Sequence, residues 1–495
     1  MSRFLRFALA ASLLVAGCSR DTVVVMDERF STVRDLIIEQ ISTATVPSIA
    51  VAVAKDGKIV WEEAFGWADV ENRVRATPKT LYRLGSISKT ITATGLMLLV
   101  EEGKIDLDKP AADYLPENMR PRGFEGDPSD VTVRHLLNHR SGMPAYAEPF
   151  FEDDPEKPRP FAETVRRYGI ITYPPGWSFI YCNLGYQMAA NIIAEASGMS
   201  YAEFIHDRVF VPLGMEHALV YEGLPINRQH AVNYTSTMKR IPQYLDSYPG
   251  ADGNYASAHD LIRFAMFHLG DSLSEQEMIL RRESIAAMQA KEPPGNERSG
   301  LGWALDGDEG GHRSVYHGGE GPGVDCMMRL FPEEDIAAVV LCNAECERLY
   351  DIQEAIFVAL IPELGEPEAP VSNPAVESPA GPGGMVGTWK GRITTYLNEI
   401  NVELAIDSAG VTLHAGDQPR GDLSISVLTP TFLVGMFDAD IPIPENERYP
   451  YRNRLALIRE GDRLYGAVVS VGWREDRAGH YELPSSVDLC RLKGE

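Results

Sequence analysis

The sequence predicts an α+β domain followed by a small all-β barrel. Two strand hairpins enclose a long helical stretch in the first two thirds of the chain. When strands come from both ends of a segment and helices from its middle, we expect one sheet closed by the two ends. After a linker rich in proline and glycine, about eight short β-like runs follow between turn residues, which is typical of a small barrel or sandwich.

The two hairpins are predicted from their turns. The first lies in Val46–Asp69, where two apolar runs meet at the Asp56-Gly57 step. An Asp-Gly step between alternating apolar runs is a strong signal for a two-residue hairpin turn. The second lies in Val324–Asn343 and turns at Pro332–Asp335. Together they supply strands from both ends of the first domain.

The domain boundaries follow from changes in composition. Residues 85–290 are mainly helical, as apolar-periodic stretches such as NLGYQMAANIIAEASG indicate. We place the first domain at residues 31–362. Residues 363–385 have almost no large apolar side chain and form a linker. The barrel then occupies residues 386–495.

Charge and length limit the classes of function. A chain of 495 residues is too long for one core. Its net charge of −25, from 71 acidic and 46 basic residues, repels phosphate backbones, so we expect no nucleic-acid partner. The sequence leaves the oligomeric state open.

The N-terminus predicts export. Arg3 and Arg6 precede the apolar segment FALAASLLVAG, which has the length of a signal peptide. It runs into Cys18 through LVAGC, which resembles the lipobox of bacterial lipoproteins. We therefore expect a signal peptide at residues 1–17 and a lipidated tether at 18–30. Such a protein is anchored to a membrane of the bacterial cell envelope, on the periplasmic side. A plain secretory signal with a chance cysteine is the alternative.

Two short patterns resemble halves of metal sites. Cys342 and Cys346 lie in CNAEC without a second pair of ligands nearby, and the odd number of cysteines after the signal indicates no disulfide framework. His135 and His139 are four apart on a predicted helix, but position 136 is leucine, so the glutamate of zinc peptidases is missing. We expect no metal and no cofactor.

A Ser-x-x-Lys pair is the first catalytic candidate. Ser86 and Lys89 stand at the start of an apolar run that Gly103 ends, and residues three apart share one helix face. The same spacing at Ser236 and Lys239 has no helix behind it. The alternative is that Ser86 only caps the helix. A serine needs a group that takes its proton, and a lysine does this only if its pKa is lowered.

Two further motifs have suitable settings. Tyr181 and Asn183 follow a Pro-Pro-Gly turn and precede a helix. His317-Gly318-Gly319 precedes a strand, and its glycines allow the backbone to approach a ligand closely. Similar strings occur elsewhere without such settings, at Tyr396–Asn398, Tyr451–Asn453 and His414–Gly416.

The three motifs in this order resemble the serine hydrolases related to class C β-lactamases and DD-peptidases. The resemblance covers residues 32–345 and includes the flanking stretches VTVRHLLNHRSGMP, VFVPLGMEHA, GADGNYASAHDLIRF and GLGW. It implies an antiparallel sheet flanked by helices, with an all-helical subdomain. It also makes His135 and His139 structural residues.

The resemblance assigns roles to the motif residues. Ser86 attacks a carbonyl and forms an acyl-enzyme, while Lys89 and Tyr181 transfer protons; which of the two is the general base stays open. Asn183 holds Lys89 and contacts the substrate.

The third motif completes the implied site. His317 and Gly319 border the cleft, and the amide N–H groups of Ser86 and Glu320 form the oxyanion hole. Class C β-lactamases usually have lysine at the position of His317. A neutral histidine attracts a substrate carboxylate less, so an ester, amide or peptide substrate ranks above a β-lactam. A non-catalytic receptor for peptidoglycan fragments is a further alternative, as is a scaffold in which the barrel performs the function.

The C-terminal segment resembles the lipocalin-like barrel that some family members carry. The string VGTWKG near its start is similar to the Gly-x-Trp entry of such barrels. The barrel could shape substrate access, bind a ligand or join protomers.

Overall fold

The computed structural model describes residues 28–123, 127–223, 226, 228–246, 248–271, 273–291, 298–309, 311–365, 383–448, 450–474 and 476–492. The predicted signal peptide, Cys18 and most of the predicted tether and linker lie outside these residues. Among the described helices, none is both long enough and apolar enough to cross a membrane.

Helices and strands follow the predicted blocks. The helices are α1 (Ser31–Ser42), α2 (Ser88–Glu101), α3 (Val133–Leu137), α4 (Phe161–Tyr168), α5 (Asn183–Ser197), α6 (Tyr201–Ile205), α7 (Pro249–Asp252), α8 (Ala258–Leu269), α9 (Arg282–Met288) and α10 (Leu349–Leu360). The strands before the linker are β1 (Ser48–Lys55), β2 (Lys58–Asp69), β3 (Val74–Arg75), β4 (Tyr82–Arg83), β5 (Arg122–Gly123), β6 (Pro149–Phe151), β7 (Ile170–Ile171), β8 (Leu219–Val220), β9 (Tyr244–Asp246), β10 (Asn254–Ala256), β11 (Ala304–Glu309), β12 (His312–Gly321), β13 (Val324–Phe331) and β14 (Ile336–Cys342). The strands after it are β15 (Gly387–Thr394), β16 (Glu399–Ile406), β17 (Val411–Ala415), β18 (Gly421–Asp422), β19 (Ser424–Leu428), β20 (Phe432–Phe437), β21 (Tyr451–Glu460), β22 (Arg463–Arg474) and β23 (Gly479–Arg491).

One antiparallel sheet organises the first domain. Its strand order is β11-β12-β13-β14-β1-β2-β3, so the first strand of the chain pairs with the last strand of the domain. In this pair Ile49 lies opposite Cys342 and Lys55 lies opposite Ile336. The prediction of a single sheet closed by the two ends of the segment is confirmed.

Both predicted hairpins are confirmed. Asp56 and Gly57 join β1 to β2 with φ angles of 50° and 67°. Positive φ at both central residues is what a type I′ turn requires, and asparagine, aspartate and glycine tolerate it best. The second hairpin joins β13 to β14 around Asp335, which also has a positive φ.

The two faces of the sheet pack against different helices. On β1, Ile49, Val51 and Val53 face a core that includes α1 and α10, whereas Ala50 and Ala52 face the larger core with α2, α5 and α8. Successive side chains of a strand point to opposite faces, so this apolar strand can serve both cores.

The C-terminal segment forms a nearly closed barrel-like sheet. Its strand order is β18-β17-β16-β15-β23-β22-β21-β20-β19, and the two edge strands are neighbours in the chain. Alternate residues of β16 from Ile400 to Ile406 point inward, towards the buried Trp389. The indole N–H of Trp389 donates to the carbonyl of Met385 at 2.8 Å. The described residues thus form nine strands where the sequence predicts about eight.

The barrel is docked on the first domain through buried charges. The carboxylate of Glu445 accepts hydrogen bonds from Arg159 at 3.0 Å, from Arg167, and from the hydroxyl of Tyr396 at 2.6 Å. The side chain of Glu445 is only 2% exposed. A buried carboxylate stabilises a fold only while its cationic partners are in place, so this network fixes the position of the barrel.

Two glycines allow β12 to approach the start of α2. A Cβ atom at Gly319 would lie 1.9 Å from the carbonyl oxygen of Leu84. A Cβ atom at Gly85 would lie 2.9 Å from the amide nitrogen of Glu320, and Gly85 has a φ of 54°. The edge of the sheet therefore reaches the helix only because both positions lack a side chain.

Gly319→Ala is expected to destabilise the protein by about 3 kcal/mol, because the added methyl group meets fixed backbone. Gly318→Ala is the control, since a Cβ atom there lies 3.5 Å from the flexible end of Met327. We expect the control to change stability by less than about 0.5 kcal/mol. Urea unfolding of both variants measures the difference, and equal midpoints would contradict the close approach.

Glu445→Ala is expected to lower the free energy of unfolding by about 3 kcal/mol, because it leaves the largely buried guanidinium groups of Arg159 and Arg167 without their shared counter-charge. Glu447→Ala is the matched control on the same turn, where the side chain is exposed. Urea titration followed by tryptophan fluorescence measures both. Similar losses in the two variants would show that the network does not hold the barrel.

Candidate active site

Ser86 lies in a tight turn before α2. The turn covers Gly85–Ile87 and leads directly into the helix. Neither the turn nor α2 has a side-chain cap, so the interpretation of Ser86 as a capping residue is wrong. Its hydroxyl is engaged elsewhere, with the two residues that the motifs single out.

The Ser86 hydroxyl has two hydrogen-bond partners. The ammonium of Lys89 donates to Ser86 Oγ at 2.8 Å, and the hydroxyl of Tyr181 donates to the same oxygen at 2.7 Å. Lys89 reaches it because residues three apart lie on one side of a helical turn. Tyr181 comes from the segment before α5, so the tertiary structure brings together two motifs that are 95 residues apart.

Lys89 is fully buried. Its ammonium also donates to the carbonyl oxygen of Ala251 at 3.0 Å and lies 4.7 Å from the ring centroid of Tyr181. Burial lowers the pKa of Lys89 to about 7, although the negative charge of Asp252 acts in the opposite direction. A large fraction of Lys89 is therefore neutral at physiological pH and able to accept a proton.

Tyr181 is held as a neutral phenol. Burial raises the pKa of Tyr181 above its ordinary value, and the hydrogen bond with Ser86 opposes this only in part. The ring stacks on His139, with 4.3 Å between the ring centroids. Tyr181 is thus oriented by packing and keeps a proton to donate.

Asn183 lines the cleft as the first residue of α5. Its amide nitrogen donates to the carbonyl of Tyr146 at 2.8 Å. The expected hydrogen bond between Asn183 and Lys89 is absent among the described residues, where the Lys89 ammonium donates to Ser86 and Ala251. Asn183 therefore fixes the loop at Tyr146 on one side of the cleft.

The third motif forms the opposite side of the cleft. His317 and Glu320 line it, while Gly319 contributes by letting β12 approach. Burial and the nearby Lys89 lower the pKa of His317 to about 4, so the imidazole is neutral near pH 7. The amide of Glu320 lies beside the turn that carries Ser86. The backbone N–H groups of Ser86 and Glu320 are donors of the kind that stabilises a developing oxyanion.

The two histidines of the RHLLNH string have separate structural roles. Helix α3 ends at Leu137, so His139 lies beyond it, with a φ of 58°. The prediction that both lie on one helix is wrong in this respect. His139 accepts a hydrogen bond from the amide of Cys182 at 3.1 Å, and His135 belongs to the capping box with Thr132. His139 thereby supports the segment that carries Tyr181.

Sequence reasoning missed a buried ion-pair cluster behind Lys89. Arg83 donates to the carboxylates of Asp246 at 2.5 Å and Asp252 at 3.1 Å. Asp246 and Asp252 also line the cleft. Asp252 lies in the stretch GADGNYASAHDLIRF, but no motif indicates that it meets Arg83 and Asp246, because β4, β9 and α7 come together only in the folded chain.

The barrel contributes to the cleft as well. His480 and Glu482 of β23 line the same cavity as Ser86, which has a volume of about 430 Å³. The backbone of Glu482 pairs with Ala147, with hydrogen bonds of 3.1 and 2.8 Å. Nothing in the sequence around residue 480 indicates this, since the contact crosses between domains.

Metal-ligating side chains do not cluster in the described part of the chain: it contains no group of three or more His, Cys, Asp or Glu residues suited to hold an ion. Cys342 and Cys346 are buried free thiols. Cys18 lies outside the described residues.

Known proteins share both the sequence pattern and the fold. The Beta-lactamase family model matches residues 33–361. Penicillin-binding protein 4* of Bacillus subtilis (strain 168) is 31% identical over an alignment of 325 residues, and the match covers 61% of this chain and 69% of that protein. This chain spans between about half and two thirds of the length of the curated relatives that it matches.

Two solved structures have a similar fold at lower identity. The octameric penicillin-binding protein homologue from Pyrococcus abyssi has a TM-score of 0.60 at 24% identity, and the match covers 93% of this chain and 100% of that one. The D-amino acid amidase from Ochrobactrum anthropi SV3 has a TM-score of 0.56 at 24% identity, covering 68% and 98%. The resemblance inferred from the motifs is confirmed, and this chain belongs to the Beta-lactamase family.

Proposed function

We propose that the chain is an exported serine hydrolase that cleaves an ester or amide through an acyl-enzyme on Ser86. A lipid at Cys18 would anchor it to the periplasmic side of a bacterial membrane. The observation that carries the proposal is the pair of hydrogen bonds on Ser86 Oγ, from Lys89 at 2.8 Å and from Tyr181 at 2.7 Å. Family membership supports hydrolysis as the class of reaction.

The first half of the reaction forms the acyl-enzyme. Neutral Lys89 takes the proton of Ser86 as the oxygen attacks the substrate carbonyl. The negative charge that develops on the carbonyl oxygen is stabilised by the amide N–H groups of Ser86 and Glu320. Tyr181 donates its proton to the leaving alcohol or amine and regains one from Lys89. The pKa of Lys89, about 7, supports its role as the base.

The second half releases the acyl group. Water attacks the ester carbonyl on Ser86 and gives a proton to neutral Lys89, which passes a proton to Ser86 Oγ as that oxygen leaves. The oxyanion is again bound by the same two amides. Protonated Ser86 then leaves, which restores the starting arrangement.

The charges of the third motif favour a neutral or cationic substrate, although the exposed Arg298 also lines the cleft. His317 is uncharged near pH 7, and the carboxylate of Glu320 is exposed in the cleft. A β-lactam or a stem peptide brings a carboxylate that would find no lysine at this position. An ester or an amino-acid amide fits better, and the fold neighbour that is a D-amino acid amidase supports including D-amino-acid amides among the substrates tested.

Ser86→Ala is expected to abolish hydrolysis of p-nitrophenyl butyrate by the chain from Ser19 onward, because no acyl-enzyme can form. Ser236→Ala removes the exposed serine of the other Ser-x-x-Lys pair and is expected to retain full turnover. Release of p-nitrophenol measures both, and circular dichroism checks the fold.

Persistent turnover in Ser86→Ala would refute the assignment of Ser86 as the nucleophile. If the parent chain hydrolyses neither this ester, nor D-phenylalanine amide, nor a penicillin, the receptor alternative replaces the enzymatic one.

The pH dependence of kcat/KM is expected to report Lys89. Because Lys89 acts in its neutral form and its pKa is about 7, log kcat/KM should rise with a slope near +1 below pH 7 and level off above it. Burial lowers the pKa of His317 to about 4, so titration of this residue does not account for a change in kcat/KM near pH 7. Initial rates from pH 5 to 9 measure the profile. A flat profile across this range would exclude Lys89 as the base.

A further inference from the structure

A second cavity lies beside the catalytic cleft, where the two domains meet. Its volume is about 720 Å³. We call it the apolar groove and define it by the residues that line it: Pro144, Ala145, Tyr173, Trp177, Ser178, Phe179, Ile180 and Tyr181 from the first domain, and Phe432, Val434, Arg454, Ala456, Ala467, Val469 and Glu482 from the barrel.

The groove exposes large aromatic side chains. Trp177 is 45% exposed and Phe179 is 39% exposed. Trp177 stacks on Tyr173 with 5.8 Å between centroids and lies 6.0 Å from Phe432 of the barrel, so rings from both domains form one wall. Contiguous exposed apolar surface of this kind usually marks a binding site.

The groove adjoins the catalytic cleft. Phe179, Tyr181 and Glu482 line both cavities. Because the hydroxyl of Tyr181 lies 2.7 Å from Ser86 Oγ, a group bound in the groove sits next to the reacting bond. A substrate attached to Ser86 therefore lies beside the groove.

The charges of the groove cancel each other. Arg454 and Glu482 are the charged side chains among its described lining residues, and they form an ion pair of 3.0 Å. An anionic or cationic ligand would have to break this pair to gain a partner. The groove therefore selects an uncharged, apolar group.

The linker of this chain is a poor candidate for the occupant. Residues 363–385 are rich in proline, glycine and glutamate and have almost no large apolar side chain to place against the rings. Because the groove borders the catalytic cleft, a part of the substrate is the better candidate for its occupant.

We propose that the apolar groove is a substrate subsite that holds an uncharged alkyl or aromatic group of the ester or amide cleaved at Ser86. The inference rests on the proposed function and adds a specificity: the substrate carries an apolar chain beside its scissile bond. The barrel then acts as a specificity-determining part of the enzyme, since seven of the fifteen lining residues come from β20, β21, β22 and β23.

Val434→Trp tests the subsite by filling it from the barrel side. The substrates are p-nitrophenyl acetate, butyrate and octanoate for the acyl side, with butyl and octyl acetate for the leaving-group side. In the parent chain, kcat/KM should rise with chain length in one series, and the series that rises identifies the side that enters the groove. In Val434→Trp, the ratio of octyl to short-chain kcat/KM should fall about tenfold, the loss expected when about two methylenes lose their burial.

Ser426→Trp is the matched control. It places the same side chain on the neighbouring strand, at an exposed position outside the groove. Its chain-length ratio should equal that of the parent chain.

Binding without turnover separates the subsite from the chemistry. In the Ser86→Ala variant, 1-octanol should change the tryptophan fluorescence more than 1-butanol does at equal concentration. Adding Trp177→Phe should remove most of this change. If the parent chain binds octanol but shows no measurable turnover, the proposed function is refuted, whereas the groove is still a binding site for an apolar group.

Two results would overturn the inference. One is a parent chain that turns over esters with no dependence on chain length in either series, together with equal responses to the two alcohols. The other is a dimer by sedimentation that Val434→Trp converts to monomer while the chain-length ratio stays unchanged. In that case the groove is a contact between copies of the chain.

Discussion

The burial of the Lys89 ammonium is the interaction on which the site depends. A lysine removed from water favours its neutral form, and this one gains Ser86, Ala251 and the rings of Tyr181 and Tyr186 in return. Asp252 of the Arg83 cluster limits how far burial lowers the pKa of Lys89, because its negative charge stabilises the ammonium form. The surroundings of Lys89 thus destabilise its charged form at the point where the proposed reaction needs a base.

The second constraint is the close approach of two backbones. The turn at Ser86 and strand β12 meet where Gly85 and Gly319 leave no room for a side chain. This contact brings the amide nitrogen of Glu320 next to the turn that carries Ser86. Antiparallel pairing of β12 with β13 holds that edge in register, so the sheet positions the proposed oxyanion donors.

The barrel forms part of the candidate active site. Buried carboxylates such as Glu445 dock it, and the pairing of Glu482 with Ala147 extends β23 to the loop that Asn183 also holds. As a result, the cleft and the apolar groove both have walls from two domains. The barrel therefore supplies part of the walls that surround Ser86.

The sequence by itself determined the features that depend on local patterns. The Asp56-Gly57 turn, the helical middle, the sheet closed from both ends and the three motifs all follow from spacing, turn chemistry and periodicity. Tertiary structure alone decided what crosses large sequence distances: the hydrogen bond of Asn183 to Tyr146, the place of His139 behind Tyr181, and the entry of His480 into the cleft. Local patterns carry no record of such contacts, because the partners are brought together by the packing of the whole chain.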